Sequence, residues 1–194
     1  MTMKGVYSME ALPIFMNLEG KKILVVGGGN AAFIKIKTVL KTGADIYVVA
    51  KEYAQKTQKI LEEYHINYEK RGIKQQDLDN VFIVFAAAEK NINDSIAIWA
   101  KERKILCCKA DGKGDFIVPY HKREGNLTVA VSTDGLFPLM GKKICENIDF
   151  SVGNDLVYLG EQRRKILHDI KDKKESKNAL QQLLKEYNTY EKNN

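Results

Sequence analysis

The sequence predicts an α/β protein built on a parallel, doubly wound sheet. Apolar runs of strand length alternate with segments whose apolar residues recur at helical spacing, which is typical of successive βαβ units. Three consecutive glycines separate the first apolar run, residues 23–26, from the first helical pattern, and residues 45–49 form a second strand pattern. Together these features indicate a dinucleotide-binding βαβ unit near the start of the chain.

The turn after the first predicted strand consists of Gly27, Gly28 and Gly29. Because glycine has no Cβ and adopts positive φ, the turn can be tight and a ligand can approach the main chain. The predicted helix that follows offers unpaired amides and a partial positive charge to a pyrophosphate. A turn without a ligand is the alternative, and the complete order of strand, glycines, helix and strand disfavours it.

The residues after the second predicted strand leave the choice between NAD and NADP open. The three small-residue positions of the dinucleotide fingerprint are filled by Gly27, Gly29 and Ala32. An acidic residue normally ends the second strand, where it binds a ribose hydroxyl. This chain has Ala50 and Lys51 there, with Glu52 one position late.

The alternation of strands and helices continues to residue 112. Helical patterns occupy residues 53–64 and 92–100, and strand patterns occupy residues 66–68, 81–87 and 105–108. Asn91 or Asn93 is predicted to cap the second of these helices. Ligands of doubly wound sheets bind beyond the carboxyl ends of the strands, so we expect the residues after each strand, including Ala88, to line one crevice.

The sequence changes character after residue 112. Residues 116–119 and 127–131 predict two strands joined through a hairpin turn at Gly125 and Asn126. Residues 139–148 predict a helix, and charged helical patterns with leucine-rich stripes follow Gly153. Such stripes indicate packing between helices.

The composition favours a globular protein, and a small polyanionic substrate would suit its mild basic excess. The net charge of +6 arises from 31 basic and 25 acidic residues mixed along the chain, without the clustered basic stripe typical of nucleic-acid binding. Three cysteines without a CxxC pair predict buried thiols in a reducing compartment. The sequence contains neither a signal-peptide pattern nor an apolar run of membrane-spanning length, so we expect a cytoplasmic protein.

Four further segments follow one another in a specific order. They are LPIFMNLEGKKILVVGGGNAAFIK at 12–35, FAAAEKNIN at 85–93, LCCKADGKGDFIVP at 106–119 and NLTVAVSTDGLFPLMGKKI at 126–144. Together they resemble the precorrin-2 dehydrogenase and sirohydrochlorin ferrochelatase family, the siroheme synthase N-terminal module. The likeness covers the first three quarters of the chain, and four ordered matches are far more specific than one glycine fingerprint.

The resemblance implies a three-part organisation. A NAD-binding Rossmann domain would span residues 1–112, a dimerisation and substrate-pocket region residues 113–150, and a short helical domain residues 151–194. It also implies a homodimer that uses NAD to oxidise the tetrapyrrole precorrin-2 to sirohydrochlorin. Ferrous iron would be the second substrate of an optional ferrochelatase activity.

The resemblance also assigns residues to these roles. The positions that contact the dinucleotide in relatives match Asn30, Ala31, Lys51 and Glu52. Asp111 matches the key aspartate of the family, and a partly desolvated carboxylate at a strand end could take a proton or orient a pyrrole nitrogen. The alternative is that Asp111 only forms an Asp-Gly turn.

The substrate of this family carries many carboxylates, which predicts hydroxyl and cationic partners. Ser132 matches the serine of the substrate pocket, and Thr133 beside it could donate to the same carboxylates or satisfy the backbone of its own loop. Lys122 and Arg123 are expected to face the substrate, ordinary surface charge being the alternative. The three histidines have no ligand spacing, so we predict no resident metal.

The chain departs from the family pattern at Cys108, at Ala88 and Glu89, and at Asp134, and its loop after Asp111 is shorter. They bear on substrate positioning and on the optional second activity more than on the fold. They therefore leave two alternatives open: a non-catalytic NAD-binding sensor or assembly module, and an oxidoreductase acting on another tetrapyrrole or small acid.

Overall fold

The structure, a computed structural model, describes residues 11–193, with side chains through Tyr187. The backbone divides into two compact units, the first ending at Val118 and the second beginning at Pro119. The predicted boundaries at residues 112 and 150 stay predictions, and residues 1–10 and 194 of the predicted domains lie outside the described residues.

A five-stranded parallel sheet forms the centre of the first unit. Its strands are β1 (Lys22–Val26), β2 (Asp45–Ala50), β3 (Asn67–Lys70), β4 (Ile83–Ala86) and β5 (Leu106–Lys109). They lie in the order β3-β2-β1-β4-β5, so the direction in which strands are added reverses between β1 and β4. Doubly wound sheets bind ligands at this reversal, beyond the carboxyl ends of the strands.

Helices cover both faces of this sheet. They are α1 (Asn30–Val39), α2 (Gln55–Glu63) and α3 (Lys90–Glu102). Ile23 and Val25 of β1 belong to the core on the side of α1 and α2, whereas Leu24 and Val26 belong to the core on the side of α3. Because β1 is buried on both faces, its sequence is a continuous apolar run and not an alternating one.

The second unit consists of a hairpin and three helices. Strands β6 (Tyr120–Glu124) and β7 (Leu127–Val131) pair antiparallel around the predicted turn at Gly125 and Asn126. The helices α4 (Pro138–Glu146), α5 (Val152–Asp169) and α6 (Lys173–Asn193) follow. None of the helices within residues 11–193 is long and apolar enough to cross a membrane.

The strand predicted over residues 116–119 is wrong, because the first strand of the hairpin is Tyr120–Glu124. Phe116 and Val118 pack against the core of the first unit, with the Phe116 ring centre 5.8 Å from that of Phe85. These residues are apolar because they cover the parallel sheet. Strand β6 is polar and mostly exposed, so it lacks the apolar pattern that predicts a strand.

Candidate functional site

The three glycines between β1 and α1 have different neighbours. A Cβ at Gly27, where φ is +128°, would lie 2.2 Å from the Ala87 carbonyl oxygen. A Cβ at Gly28 would lie 1.9 Å from the Glu52 carbonyl oxygen. The protein's own packing therefore requires glycine at these two positions. A Cβ at Gly29 would meet no protein atom within 4 Å, so open space lies beside this residue.

The first turn of α1 borders this open space. Gly29 is the N-cap residue, and the first turn contains no acidic side chain. The leading amides of a helix, here those of Asn30 and Ala31, lack intrahelical acceptors and favour an anion. Lys56 of α2 donates a hydrogen bond to the Asn30 side-chain oxygen, and its ammonium group lies 5.2 Å from the Phe33 ring centre.

Lys56 therefore brings positive charge to the start of α1. Sequence reasoning missed it, because no motif spacing relates the start of one helix to the start of the next. The contact exists only because α1 and α2 pack on the same face of the sheet.

The residues after β2 lie against the glycine turn. The Glu52 carbonyl group packs on Gly28, and the Ala54 N–H donates to the Gly28 carbonyl oxygen at 3.0 Å. Lys51 extends along the neighbouring loop, where its Cε would lie 3.6 Å from a Cβ at Gly72. Thus the structure brings Lys51 and Glu52 to the same sheet edge as the glycines, as the sequence predicts.

The residue after β4 is held by a buried asparagine. The Ala88 N–H donates to Asn93 Oδ1 at 2.9 Å, and Asn93 Nδ2 donates to the Ala88 carbonyl oxygen at 3.0 Å. Asn93 is fully buried, and the N-cap residue of α3 is Glu89. The predicted capping role of Asn91 or Asn93 is therefore wrong.

A sequence signal for this burial exists. Asn93 lies on the apolar face of α3, at helical spacing from Ile96 and Ala100, which are both fully buried. A polar residue on such a face must find hydrogen-bond partners in the interior. Here the partner is the loop that precedes the helix, which capping statistics do not reveal.

Asp111 lies in a short loop after β5 that is closed by a reciprocal pair of hydrogen bonds. The Asp115 N–H donates to the Cys107 carbonyl oxygen at 2.8 Å, and the Cys107 N–H donates to the Asp115 carboxylate at 2.8 Å. A Cβ at Gly114 would lie 2.3 Å from the same carbonyl oxygen. The chain therefore returns tightly to β5 and restricts the position of Asp111.

A cation lies beside this loop. Lys109 pairs with Asp94 of α3, and its Nζ would lie 3.6 Å from a Cβ at Gly112. The hydrogen bond to Asp94 raises the pKa of Lys109, and the charge of Asp111 acts in the same direction. The same hydrogen bond lowers the pKa of Asp94. Sequence reasoning did not identify this pair, whose members come from different elements.

The loop between β7 and α4 contains Ser132 and Thr133. The Ser132 hydroxyl donates to Asp134 Oδ1 at 3.2 Å and accepts from the Asp134 N–H at 3.1 Å. The Leu136 N–H donates to the Thr133 carbonyl oxygen at 2.9 Å. Asp134 and Gly135 have φ of +50° and +77°, as the central residues of a type I′ turn do. Asp134 thus adopts a backbone conformation that glycine adopts easily and that aspartate tolerates.

The two predicted cationic substrate residues lie in the hairpin. The Lys122 ammonium group is 4.2 Å from the Phe150 ring centre and 3.2 Å from the Glu124 carboxylate. Arg123 is exposed and donates to the Gly125 carbonyl oxygen at 3.3 Å. All four predicted substrate residues belong to the second unit, and their contribution to one site with Asp111 stays a prediction.

The three cysteines are free and buried, as predicted. Burial raises the pKa of Cys107 to about 11, and it also raises the pKa of Cys108. Cys108 belongs to the core on the side of α1, so this departure from the family pattern has an apolar packing role. Among the described residues, no group of three or more His, Cys, Asp or Glu side chains could hold a metal ion.

Residues 14–120 match the family described as "Putative NAD(P)-binding", which spans more than half of the chain. This match agrees with the parallel sheet, in which the direction of strand addition reverses between β1 and β4. It also agrees with the open space beside Gly29 at the start of α1. The first unit is therefore an NAD(P)-binding domain of the Rossmann type.

Curated relatives and a solved structure define the family more closely. A precorrin-2 dehydrogenase of Bacillus subtilis is 35% identical over 148 residues, which cover 75% of this chain and 91% of that protein. A siroheme synthase of Photobacterium profundum is 32% identical over 144 residues, 73% of this chain but 31% of that protein. The structure titled "SirC, precorrin-2 dehydrogenase" is 28% identical, with a TM-score of 0.66 and 89% of each chain covered.

The chain belongs to the precorrin-2 dehydrogenase and sirohydrochlorin ferrochelatase family. The predicted family and fold class are thereby confirmed. The chain corresponds to nearly the whole of the Bacillus relative and to about a third of the siroheme synthase.

Proposed function

We propose that this protein is an NAD-dependent precorrin-2 dehydrogenase that makes sirohydrochlorin in siroheme biosynthesis. The observation that carries the proposal is the open space at Gly29, in front of the first turn of α1, in a chain of this family. A pyrophosphate fits there because helix amides and the Lys56 cation border the space and the first turn has no acidic side chain.

The loops around the sheet edge would hold the two halves of NAD. Lys51 and Glu52 after β2 suit the adenosine side, where fingerprint proteins bind the ribose. Ala88 after β4 suits the nicotinamide side, on the other flank of β1. Bound NAD supplies the hydride acceptor, so the protein must mainly bind and orient the substrate.

Asp111 is the proton acceptor in this proposal. Removal of two hydrogens from precorrin-2 gives one hydride to NAD and one proton, and a positioned carboxylate can take that proton. The hydrogen bonds between Asp115 and Cys107 restrict the loop that carries Asp111. Lys109 lies beside the same loop, where it pairs with Asp94.

The substrate carboxylates would be bound from the second unit. Ser132 and Thr133 offer hydroxyl groups, and Arg123 offers an exposed guanidinium group that can pair with a carboxylate. Lys122 must share its charge with Glu124. Ferrous iron enters the proposal only as a substrate of a second, ferrochelatase activity, in which Asp111 would take protons from pyrrole nitrogens.

We also propose a three-part organisation, a cytoplasmic location and a homodimer. The NAD-binding domain would end at residue 112, the dimerisation and substrate region at residue 150, and a helical domain would follow. Buried free cysteines suit a reducing compartment, so we place the protein in the cytoplasm. A homodimer is supported by exposed apolar side chains in the second unit, at Leu136, Phe137, Leu139, Met140 and Ile144.

The test is turnover of precorrin-2 with NAD, followed through the absorbance of sirohydrochlorin. We expect turnover by the unmodified protein and a loss of kcat of about 100-fold or more in Asp111→Asn, because general-base catalysis is worth that much. Asp115→Asn is the matched control, since an amide oxygen still accepts from the Cys107 N–H and should preserve the loop.

Three outcomes would change this assignment. NAD binding without any sirohydrochlorin would favour the sensor or assembly module. Turnover of a different substrate only would favour another oxidoreductase. Equal kcat in Asp111→Asn and the unmodified protein would remove Asp111 from the reaction.

A further inference from the structure

The side-chain amide of Asn93 forms both of its hydrogen bonds with one residue, Ala88. Both of its polar atoms bond the main chain of Ala88, at 2.9 and 3.0 Å, and the side chain is fully buried. Asparagine has a lower helix propensity than an apolar residue such as leucine, and a buried amide must be fully bonded to be tolerated. The Asn93 amide therefore serves the loop before α3 more than it serves the helix.

The same loop is attached to the end of β1. The Ala87 N–H donates to the Val26 carbonyl oxygen at 2.8 Å, and the Ala87 carbonyl oxygen lies so close to Gly27 that no Cβ fits between them. Ala87 and Ala88 are thus held by the glycine turn on one side and by α3 on the other. The loop has a defined position before any ligand binds.

The sheet order indicates which part of a dinucleotide meets this loop. Strands β2 and β4 flank β1 on opposite sides, and the pyrophosphate is expected at the start of α1 after β1. The residues after the second strand are those that bind the adenosine ribose in this kind of fold. The nicotinamide half must then extend over the end of β4, where the exposed Ala88 offers a small apolar side chain and Ala87 is buried in the core.

We infer that Asn93 is a positioning residue that holds Ala88 against the nicotinamide half of the coenzyme; this inference rests on the proposed function. Because Asn93 occupies the Ala88 N–H, that group cannot bond the ligand, and the loop contacts the ring through a fixed apolar surface. Loss of the amide frees the Ala88 peptide and loosens this surface, while the adenosine and pyrophosphate contacts remain.

The experiment compares NAD with ADP-ribose, which is NAD without its nicotinamide, by calorimetric titration. Asn93→Asp replaces the Nδ2 donor by an oxygen that repels the Ala88 carbonyl oxygen. Asn93→Ser removes the same amide without adding charge. We expect both to lower the affinity for NAD by about tenfold, the usual effect of an unpaired buried polar group, and to leave the affinity for ADP-ribose within about twofold.

Asn91→Asp is the matched control, because it makes the same chemical change at an exposed position two residues earlier in α3. It should bind both ligands as the unmodified protein does. ADP-ribose binding also reports that each variant is folded, and if Asn93→Asp does not fold, Asn93→Ser decides.

Two results would overturn the inference and leave the proposed function standing. Parallel losses of NAD and ADP-ribose affinity in Asn93→Ser, or equal NAD affinity in Asn93→Ser and the unmodified protein, would leave Asn93 with a structural role only. Failure of the unmodified protein to bind NAD would overturn the proposed function itself, and the inference with it.

Discussion

Gly27, Gly28 and Gly29 are the same residue type, but their surroundings in the structure differ. The first two allow main-chain contacts with Ala87 and Glu52, and the third borders open space. Gly29 is therefore the only one of the three glycines at which ligand binding can be tested without a clash in the folded protein. A substitution there can change the affinity for a coenzyme without disturbing the packing of the β1–α1 turn.

We expect Gly29→Asp to weaken NAD binding by about tenfold or more, because a carboxylate would repel the pyrophosphate at close range. The free energy of unfolding should stay equal or rise by a few tenths of a kcal/mol, since aspartate is a good N-cap residue and φ at Gly29 is −86°. Titration with NAD and urea denaturation measure the two effects.

Gly160→Asp is the control, because a Cβ at Gly160 also meets no atom within 4 Å. It should leave NAD affinity unchanged. Undiminished NAD affinity in Gly29→Asp would mean that the glycine turn serves only the fold.

At the scale of elements, Arg71 ties the end of β3 to the 3₁₀ helix Gln75–Leu78. Its guanidinium group donates to both Asp77 carboxylate oxygens at 2.7 Å and also bonds Glu69. Partial burial opposes the ionisation of Asp77, but the hydrogen bonds from Arg71 and from the Lys74 N–H outweigh it and lower the pKa of Asp77. This is a bidentate pair, which is stronger than an ordinary surface ion pair.

We expect Arg71→Met to lower the free energy of unfolding by about 2 kcal/mol at pH 7. The folded pKa of Asp77 is below its ordinary value of 3.8, so its ionised form stabilises the fold above that pH. This contribution is lost as the pH falls through the lower folded value, and the difference between variant and unmodified protein should shrink there. Urea denaturation across the acidic range measures it.

Arg103→Met provides the comparison. Arg103 pairs at 3.5 Å with Asp79, whose side chain is 60% exposed, and such a pair is worth less than about 1 kcal/mol. Equal losses of stability in the two variants at pH 7 would contradict the special role of the Arg71 pair.

At the scale of the whole molecule, the second unit leaves several neighbouring apolar side chains uncovered. Leu136 and Leu139 are 71% and 68% exposed, and Phe137 between them is 54% exposed. Contiguous apolar surface of this kind marks an interaction site. A symmetric contact with a second copy would cover it on both subunits.

We expect the protein to have twice the molar mass of one 22.0 kDa chain in light scattering. Leu139→Asp should shift it towards the monomer, because a carboxylate cannot be buried in an apolar contact without a partner. Leu184→Asp on α6 is the control, since Leu184 is also exposed, at 56%, and lies outside the proposed dimer region. A monomeric unmodified protein would refute the homodimer.

The sequence by itself determined the fold class, the order of the parallel strands along the chain, the glycine turn and the family. These features are local: hydrophobic periodicity reports whether an element is buried on one face or two, and the ordered motifs lie within short segments. The same reasoning fails at β6. Its polar residues give no apolar pattern, and the apolar residues before it, Phe116 and Val118, pack against the core of the first unit.

Only the tertiary structure decided how the residues of the site support one another. Three features depend on packing between separate elements. They are the difference in surroundings between Gly29 and the two preceding glycines, the hydrogen bond from Lys56 to Asn30, and the hydrogen bonds between Asn93 and Ala88. Spacing along the chain does not encode such contacts, since the geometry of the sheet and of the helices on its faces brings the partners together.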